Sequence, residues 1–164
     1  MSTIVVGPAE PLSRALADEF GGVTTIDGSA DAGDTMWQAL VALQAAHAAM
    51  AAKGGRIVLV LPTIGMTGAA GLVDYTTAIE GIRAMAKSAA RQWAPEGIGV
   101  NMVAAPMSLF GREVDASHLT AAAVPDDSAL IPAVVETTKF LLRRDVTHVV
   151  GATIIADGGS VMMP

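Results

Sequence analysis

Residues 56–61 constrain the fold of this chain more than any other segment. They read RIVLVL, and the pair Gly54 and Gly55 separates them from an alanine-rich stretch. A continuous run of β-branched residues and leucine is typical of a parallel strand that is buried on both faces. Such a strand needs helices on both sides of its sheet, so the run predicts an α/β fold.

Short apolar runs alternate with longer helical patterns along the rest of the chain, and residues 65–71 form a glycine-rich loop. This alternation predicts a doubly wound, Rossmann-like parallel sheet within one domain of residues 1–164. The strands are predicted at residues 4–7, 23–26, 56–61, 100–104 and 149–156, and the helices at residues 11–20, 35–53, 72–93 and 131–143.

Composition excludes several classes of function. The net charge of −6 gives no basic surface for nucleic acid or anionic lipid, and the absence of cysteine excludes disulfides and thiolate metal sites. No apolar run reaches the ~18 residues that span a bilayer, so we expect a cytoplasmic protein. Hydrophobic residues make up 52% of the chain. A deeply buried core and a surface covered by a partner both explain this value.

The order of features from Gly55 to Asn101 is the second informative pattern. A glycine turn and a buried strand lead through a loop to a helix that carries Tyr75, and a second buried strand follows at Val100. This order resembles the catalytic half of the short-chain dehydrogenase/reductase family, and residues 151–160 (GATIIADGGS) resemble the family's ending. The resemblance implies a Rossmann-like fold that is truncated in its adenosine-binding half. It leaves open whether residues 23–26 take the family's second or fourth strand position.

The first turn departs from the family's phosphate-binding loop, TGxxxGxG. Gly7 is retained, but the other two glycine positions hold Pro11 and Ser13. Glu10 adds a carboxylate where the resemblance places the phosphates. Proline lacks a backbone donor and a carboxylate repels phosphate, so we expect no dinucleotide to bind this chain.

The family's catalytic tetrad of Asn, Ser, Tyr and Lys is also altered. Only Tyr75 is retained, and we expect it to be vestigial. Pro62 stands at the serine position, Ile79 at the lysine position and Asp34 at the asparagine position. Arg83 lies two helical turns from Tyr75, roughly 12 Å along the axis, which is too far to replace the lysine.

The two long helices are rich in small residues, and in the family these helices form subunit contacts. Few charges interrupt them, although alanine is also the best helix former and the same faces could pack on their own sheet. The sequence predicts that a partner contacts Trp37, Val41, Ala45, Ala48, Ala78, Ile82, Met85, Ala89, Ile154, Asp157, Met162 and Met163.

These patterns favour a non-catalytic subunit that stabilises or regulates a full-length, active short-chain dehydrogenase. By analogy the partner would be an NAD(P)-dependent hydroxy/keto oxidoreductase, with hydroxyacyl thioesters as one candidate substrate class. This chain would hold no cofactor, and the partner would hold NAD(P). Two alternatives stay open: a cofactor-independent enzyme that uses Tyr75 as acid and base, and a homo-oligomeric module that binds a small molecule.

Overall fold

The computed structural model describes residues 1–7, 10–111, 115 and 121–162. Within these residues, five strands form one sheet in the order β2-β1-β3-β4-β5, and every neighbouring pair is parallel. The predicted α/β fold with a doubly wound parallel sheet is confirmed. The strands are β1 Ser2–Val6, β2 Thr24–Ile26, β3 Gly55–Pro62, β4 Ile98–Ala105 and β5 Thr153–Ile155.

The four predicted helices differ from their predicted bounds by one residue at one or both ends, except the helix predicted at 35–53, which begins and ends three residues earlier. This helix begins before residue 35 because Asp31 caps it and accepts hydrogen bonds from the backbone amides of Gly33 and Asp34. The segment 65–71, predicted as a loop, contains part of a short helix that ends at Thr67 and has Gly68 as its C-cap. The helices are α1 Leu12–Phe20, α2 Ala32–Met50, α3 Ile64–Thr67, α4 Val73–Trp93 and α5 Leu130–Leu142.

Strand β3 lies at the centre of the sheet, and all of its residues are buried. It pairs with β1 on one side and with β4 on the other. Strand β5 is shorter than predicted because the side-chain amide of Asn101 holds part of the segment that precedes it. This amide donates to the carbonyl of Val149 at 2.9 Å and accepts from the amide of Ala152 at 3.0 Å.

Strand β2 lies beside β1, on the side away from β3. The fourth strand position of the family would separate β1 from β3, so residues Thr24–Ile26 take the second position. The order of the strands reverses direction at β1, where the chain moves first to β2 and then across to β3. This reversal marks the point at which open α/β sheets bind their ligands.

The helices pack in two pairs. Helices α2 and α4 approach closely, because a Cβ atom added at Gly81 would lie only 2.5 Å from the sulfur of Met36. Helices α1 and α5 are joined by an ion pair between Glu19 and Lys139 at 2.7 Å. The pair α2 and α4 therefore presents a common outer surface, on which the predicted subunit contacts are centred.

A buried arginine ties together the amino end of the sheet. The guanidinium of Arg56 donates to the carbonyls of Gly55 at 2.8 Å, Gly97 at 3.3 Å and Arg144 at 2.9 Å. These carbonyls belong to the starts of β3 and β4 and to the segment after α5. One side chain thus fixes three separate parts of the chain.

Gly54 provides a test of the connection between α2 and β3. Its φ of +64° is left-handed, and an added Cβ would lie 2.8 Å from the carbonyl oxygen of Gly97. Gly21 is an internal control, because its φ of +75° carries the same backbone strain but an added Cβ meets nothing within 4 Å. We expect Gly21→Ala to lower the free energy of unfolding by roughly 1–2 kcal/mol, and Gly54→Ala to lower it by clearly more. Urea denaturation measures both; equal losses would contradict the close contact.

Candidate functional site

The carboxyl ends of β1 and β3 meet at the reversal point of the sheet. Strand β1 runs directly into Gly7, whose φ is +116° and whose amide donates to the carbonyl of Ile26 at 2.8 Å. This backbone conformation favours glycine. A crevice for a ligand is expected at this edge, above Gly7 and between the two strands.

The aromatic side chain of Phe110 fills that crevice. An added Cβ at Gly7 would lie 3.3 Å from Cδ1 of Phe110 and 3.5 Å from its Cβ. Phe110 ends a 3₁₀ turn, Met107–Phe110, that follows β4, and it is 2% exposed. No pattern in the sequence predicts this contact, because residues 107–127 lack periodicity. A large apolar residue that follows a buried strand is the one feature that could have suggested it.

Tyr75 reaches the same edge from the first turns of α4. Its ring edge packs on Gly28, where an added Cβ would lie 3.4 Å from Cε2 of the tyrosine and 3.5 Å from Cα of Gly7. Tyr75 is 8% exposed and lines an open cavity of about 440 Å³. The cavity lies between residues 28–31, which precede α2, and residues 71–75 at the start of α4.

Carboxylates dominate the electrostatics around this cavity. The amide of Asp34 donates to Asp31 and lowers the pKa of that carboxyl, while the hydrogen bond and charge of Asp31 raise the pKa of Asp34. The hydroxyl of Ser29 donates to Asp27 and lowers its pKa in the same way. Asp74 also lines the cavity. The local charge therefore repels phosphate and other anions.

The remaining positions of the catalytic tetrad do not come together with Tyr75 in this cavity. Pro62 ends β3 and is buried, and Asp34 is exposed on the first turn of α2. Ile79 is fully buried, and its Cγ2 would lie 2.9 Å from a Cβ added at Gly65. Arg83 is held by Glu80 and by the hydroxyl of Thr153. Within the described residues, Tyr75 is the tetrad position that lines the cavity.

The residues that replace the phosphate-binding glycines surround the start of α1. Glu10 forms an ion pair with Arg14 at 2.9 Å, and both side chains are exposed. Pro11 occupies the N-cap position of α1 and makes no side-chain cap hydrogen bond, and Ser13 is half-buried. These residues place a carboxylate near the helix end to which a phosphate group would bind.

The predicted interface divides into exposed and buried residues. Trp37, Val41, Ala45 and Ala48 are exposed on α2, and Met85 is half-buried on α4. By contrast, the structure places three α4 residues within the chain's own packing: Ala78, Ile82 and Ala89, at 1%, 0% and 8% exposure. The prediction that these three residues contact a partner is therefore wrong, because their side chains pack inside the chain itself.

The C-terminal residues of the predicted interface also differ in exposure. Ile154 is half-buried in β5, Met162 is 75% exposed, and Met163 lies outside the described residues. Asp157 is 5% exposed and accepts hydrogen bonds from the amides of Gly159 at 2.9 Å and Val161 at 2.8 Å. The structure therefore assigns Asp157 to the folding of the tail.

The described residues contain neither a metal-binding cluster nor a membrane-spanning helix. No group of three or more His, Asp or Glu side chains in residues 1–7, 10–111, 115 and 121–162 is arranged to hold a metal ion. None of the helices in these ranges combines the length and hydropathy that crossing a bilayer requires.

Comparisons with known proteins agree with the resemblance found in the sequence. A family model described as enoyl-(acyl carrier protein) reductase matches residues 12–161. The 3-oxoacyl-(acyl-carrier-protein) reductase FabG of Vibrio harveyi is 29% identical over 123 aligned residues, covering 70% of this chain and 49% of that protein. FabG of Vibrio cholerae serotype O1 is 26% identical over 182 aligned residues, covering 94% of this chain and 73% of that protein. The chain thus spans about half the length of the first relative.

Among solved structures, the crystal structure of acetoin dehydrogenase YohF from Salmonella typhimurium matches with a TM-score of 0.67. The match covers 98% of this chain and 95% of that chain, at 17% sequence identity. At this identity the match shows the fold, and it agrees with the parallel sheet flanked by helices.

The prediction of a catalytically silent chain is wrong. The matching family model is that of a reductase, and the similar proteins are named as reductases and a dehydrogenase. The substitutions at Asp34, Pro62 and Ile79 therefore do not establish catalytic silence. The matching family model places the chain in a family of oxidoreductases.

Short-chain dehydrogenases typically use NAD(P), and the similarity to them leaves the prediction of no cofactor in this chain unsupported. The described residues at the reversal point do not fit the dinucleotide as they stand. Phe110 packs on Gly7 where the ligand would approach, and Glu10 adds a negative charge near α1. No catalytic step is therefore assigned to a dinucleotide held by this chain.

Substitution of Asp157 tests whether this residue stabilises the folded tail or contacts a partner subunit. We expect Asp157→Ala to lower the free energy of unfolding of the isolated chain by about 1–3 kcal/mol, because two backbone amides lose their acceptor. Asp145→Ala is the control, since Asp145 is exposed and pairs with exposed Arg143, and we expect a loss of at most about 1 kcal/mol. Thermal unfolding of the chain alone measures both variants. If Asp157→Ala leaves the stability of the chain unchanged, Asp157 does not stabilise the tail and stays a candidate for the subunit contact.

Proposed function

Because the chain belongs to the short-chain dehydrogenase/reductase family, we propose that it is a subunit of an NAD(P)-dependent oxidoreductase acting on hydroxy and oxo groups. We propose further that it pairs with a full-length member of the same family through helices α2 and α4. The observation that carries this proposal is the exposed apolar face of α2. It is supported by the crevice at Gly7, which does not fit the dinucleotide in this chain.

The exposed face of α2 is a continuous stripe. Trp37 is 65% exposed and Val41 is 47% exposed, and exposed Ala45 and Ala48 continue the same side of the helix. Positions that are three and four residues apart share one face. Large aromatic residues in the middle of an interface commonly contribute most of the binding free energy. A solvent-exposed tryptophan beside valine and alanine therefore favours a packed partner on this face.

The neighbouring face of α4 carries small residues between two opposite charges. An antiparallel helix from a related chain would place its acidic first turn near Arg91 and its basic end near Asp74. Small side chains in the middle allow the two helices to approach closely, and the end charges set their direction. The face follows a spacing of three and four residues through exposed Asp74, Thr77, Ala84, Ser88 and Arg91. Gly81 lies on the same stripe and packs on Met36 of α2.

In this proposal the full-length partner holds the dinucleotide. The relatives in Vibrio are named as 3-oxoacyl reductases, and this supports an oxo group on an acyl thioester as the substrate class. The carboxylates beside Tyr75 would repel a phosphate group at that edge of this chain. The partner's own crevice therefore provides the binding site for NAD(P).

Val41 tests the pairing. We expect Val41→Glu to weaken association with the full-length partner by roughly a hundredfold, because a carboxylate would be buried without a partner. Val124→Glu is the matched control, because Val124 is 60% exposed and its backbone amide bonds to the carbonyl of Gly158, outside both helices. The measurement is native mass spectrometry of the complex purified intact from its source cells, followed by reduction of acetoacetyl-coenzyme A with NADPH.

The pairing is supported if a full-length short-chain dehydrogenase is bound to this chain in fixed stoichiometry. This complex should be lost in Val41→Glu and kept in Val124→Glu. Self-association of this chain alone would instead favour the homo-oligomeric binding module, and an unchanged complex in Val41→Glu would move the interface elsewhere. An active complex that does not reduce the oxo thioester would reject the proposed substrate class.

Tyr75 carries the second candidate function, acid and base catalysis by this chain without a nicotinamide. The supporting observation is its place in the cavity with Ser29, Asp31 and Asp74. A phenol hydroxyl at such a cavity can exchange a proton with a bound substrate.

Tyr75→Phe separates this candidate from the pairing proposal. If Tyr75 is the acid and base, we expect the turnover of the purified chain to fall by roughly 100-fold or more, while the fold is kept. Thr76→Val is a control at the neighbouring position, whose hydroxyl bonds only to carbonyls of its own helix turn. Rates are measured for the chain alone and in the complex, at matched stability. If wild type and Tyr75→Phe have equal rates, both as the isolated chain and in the complex, Tyr75 is not the catalytic acid and base.

A further inference from the structure

A cavity on the side of α4 lies at the opposite end of this helix from Tyr75. It has a volume of about 480 Å³ and lies between the C-terminal half of α4 and the segment that precedes β5. We infer that this cavity is a ligand site separate from the one at Tyr75, and that it binds a small organic phosphate monoester. Its lining residues are Lys87, Ala90, Arg91, Ala94, Val150 and Gly151.

Lys87 and Arg91 give the cavity its positive charge. Both also line an adjoining cavity of about 450 Å³, and the described residues that line the two cavities include no aspartate or glutamate. Within the part of the chain that the structure describes, neither side chain forms an ion pair with a carboxylate. Like charges four residues apart destabilise a helix slightly, so an anion bound between them would remove a local repulsion.

The helix dipole accounts for only one of the two cations. Arg91 lies in the last turn of α4, where the dipole favours a positive charge. Lys87 lies one turn earlier, and the effect of the dipole falls off beyond the last turn. The second cation therefore calls for an anion from outside the described residues.

The wall of the cavity opposite α4 is already fixed without a ligand. The side-chain amide of Asn101 donates to the carbonyl of Val149 at 2.9 Å and accepts from the amide of Ala152 at 3.0 Å. Asn101 is 1% exposed, so these bonds are shielded from water. Between them, Gly151 has a φ of +67°, and an added Cβ would lie 3.5 Å from Cβ of Ala90. A fixed wall lowers the cost of ordering the site when a ligand binds.

The chemistry of the lining favours a phosphate monoester over a carboxylate. A phosphate monoester carries about 1.5 to 2 negative charges near neutral pH, which matches Lys87 and Arg91, whereas a carboxylate carries one. The guanidinium can donate two parallel hydrogen bonds to phosphate oxygens, and the ammonium adds a compact charge. Val150 is 45% exposed and lines the cavity with Ala90 and Ala94, so this wall can pack against an apolar group esterified to the phosphate.

The two ends of α4 differ in electrostatics. Lys87 and Arg91 follow Tyr75 by 12 and 16 residues, which places them roughly 18 and 24 Å further along the helix axis. Carboxylates of Asp31 and Asp74 repel phosphate at the cavity beside Tyr75, while the cations attract it at the other end. This inference does not rest on the proposed function, and it is tested on the chain alone, so failure of the pairing leaves it standing.

The test is isothermal titration calorimetry of n-butyl phosphate against the purified chain at low ionic strength. We expect Lys87→Gln and Arg91→Gln each to weaken binding by roughly tenfold, because each removes a charge-assisted hydrogen bond. Arg14→Gln is the matched control, because it removes the same charge from an exposed side chain of α1 that pairs with Glu10. Its affinity should equal that of wild type. Wild-type affinity in both cavity variants, or an equal loss in Arg14→Gln, would overturn the inference.

A series of ligands tests the apolar wall. We expect n-butyl phosphate to bind more tightly than inorganic phosphate and butyrate, and Val150→Ser to remove its advantage over inorganic phosphate. Nuclear magnetic resonance locates the ligand, since the amide signal of Gly151 should shift on titration while that of Gly28, beside Tyr75, stays in place. Equal affinity for inorganic phosphate and n-butyl phosphate, tighter binding of butyrate, or a shift confined to Gly28 would each contradict the site.

Discussion

The direct pairing of β3 with β1 is the constraint on which the rest of the structure depends. Strand β3 is buried along its whole length, so it needs a strand on each edge and a helix on each face. With β2 on the far side of β1, nothing in the sheet separates the two central strands. Their carboxyl ends therefore lie side by side, and the helices that follow them must start from the same edge.

That edge brings together residues that are distant in the sequence. Gly7 follows β1, Gly28 follows β2, Tyr75 begins α4, and Phe110 follows β4, yet all four are in contact there. The chain thus has the edge at which open α/β sheets present a ligand, and its own side chains pack there. A crevice filled by Phe110 and an acidic cavity therefore lie at this edge.

The order of the elements followed from the sequence because it depends on local patterns. The β-branched run before Pro62 and the helix through Tyr75 are each determined by neighbouring residues. The position of Phe110 could not be predicted, because it depends on a contact with Gly7 that no periodic pattern encodes. Alanine-rich helices gave too little amphipathic contrast to separate buried Ala78 from exposed Ala48. Catalytic silence was inferred from single positions, and the comparison of the whole chain overturned it.

The two ends of the sheet are stabilised by different interactions and therefore respond differently to acid. The hydrogen bonds of Arg56 hold the amino end. At the amino end, guanidinium-to-carbonyl hydrogen bonds involve no carboxyl group, so acidification leaves them in place. At the carboxyl end, Asp31 caps α2 and its pKa is lowered, so its contribution is present above the ordinary pKa of an aspartate and is lost as the pH falls through the lowered value. Acid would therefore weaken the cap of α2 at the carboxyl end of the sheet, while the hydrogen bonds of Arg56 at the amino end stay in place.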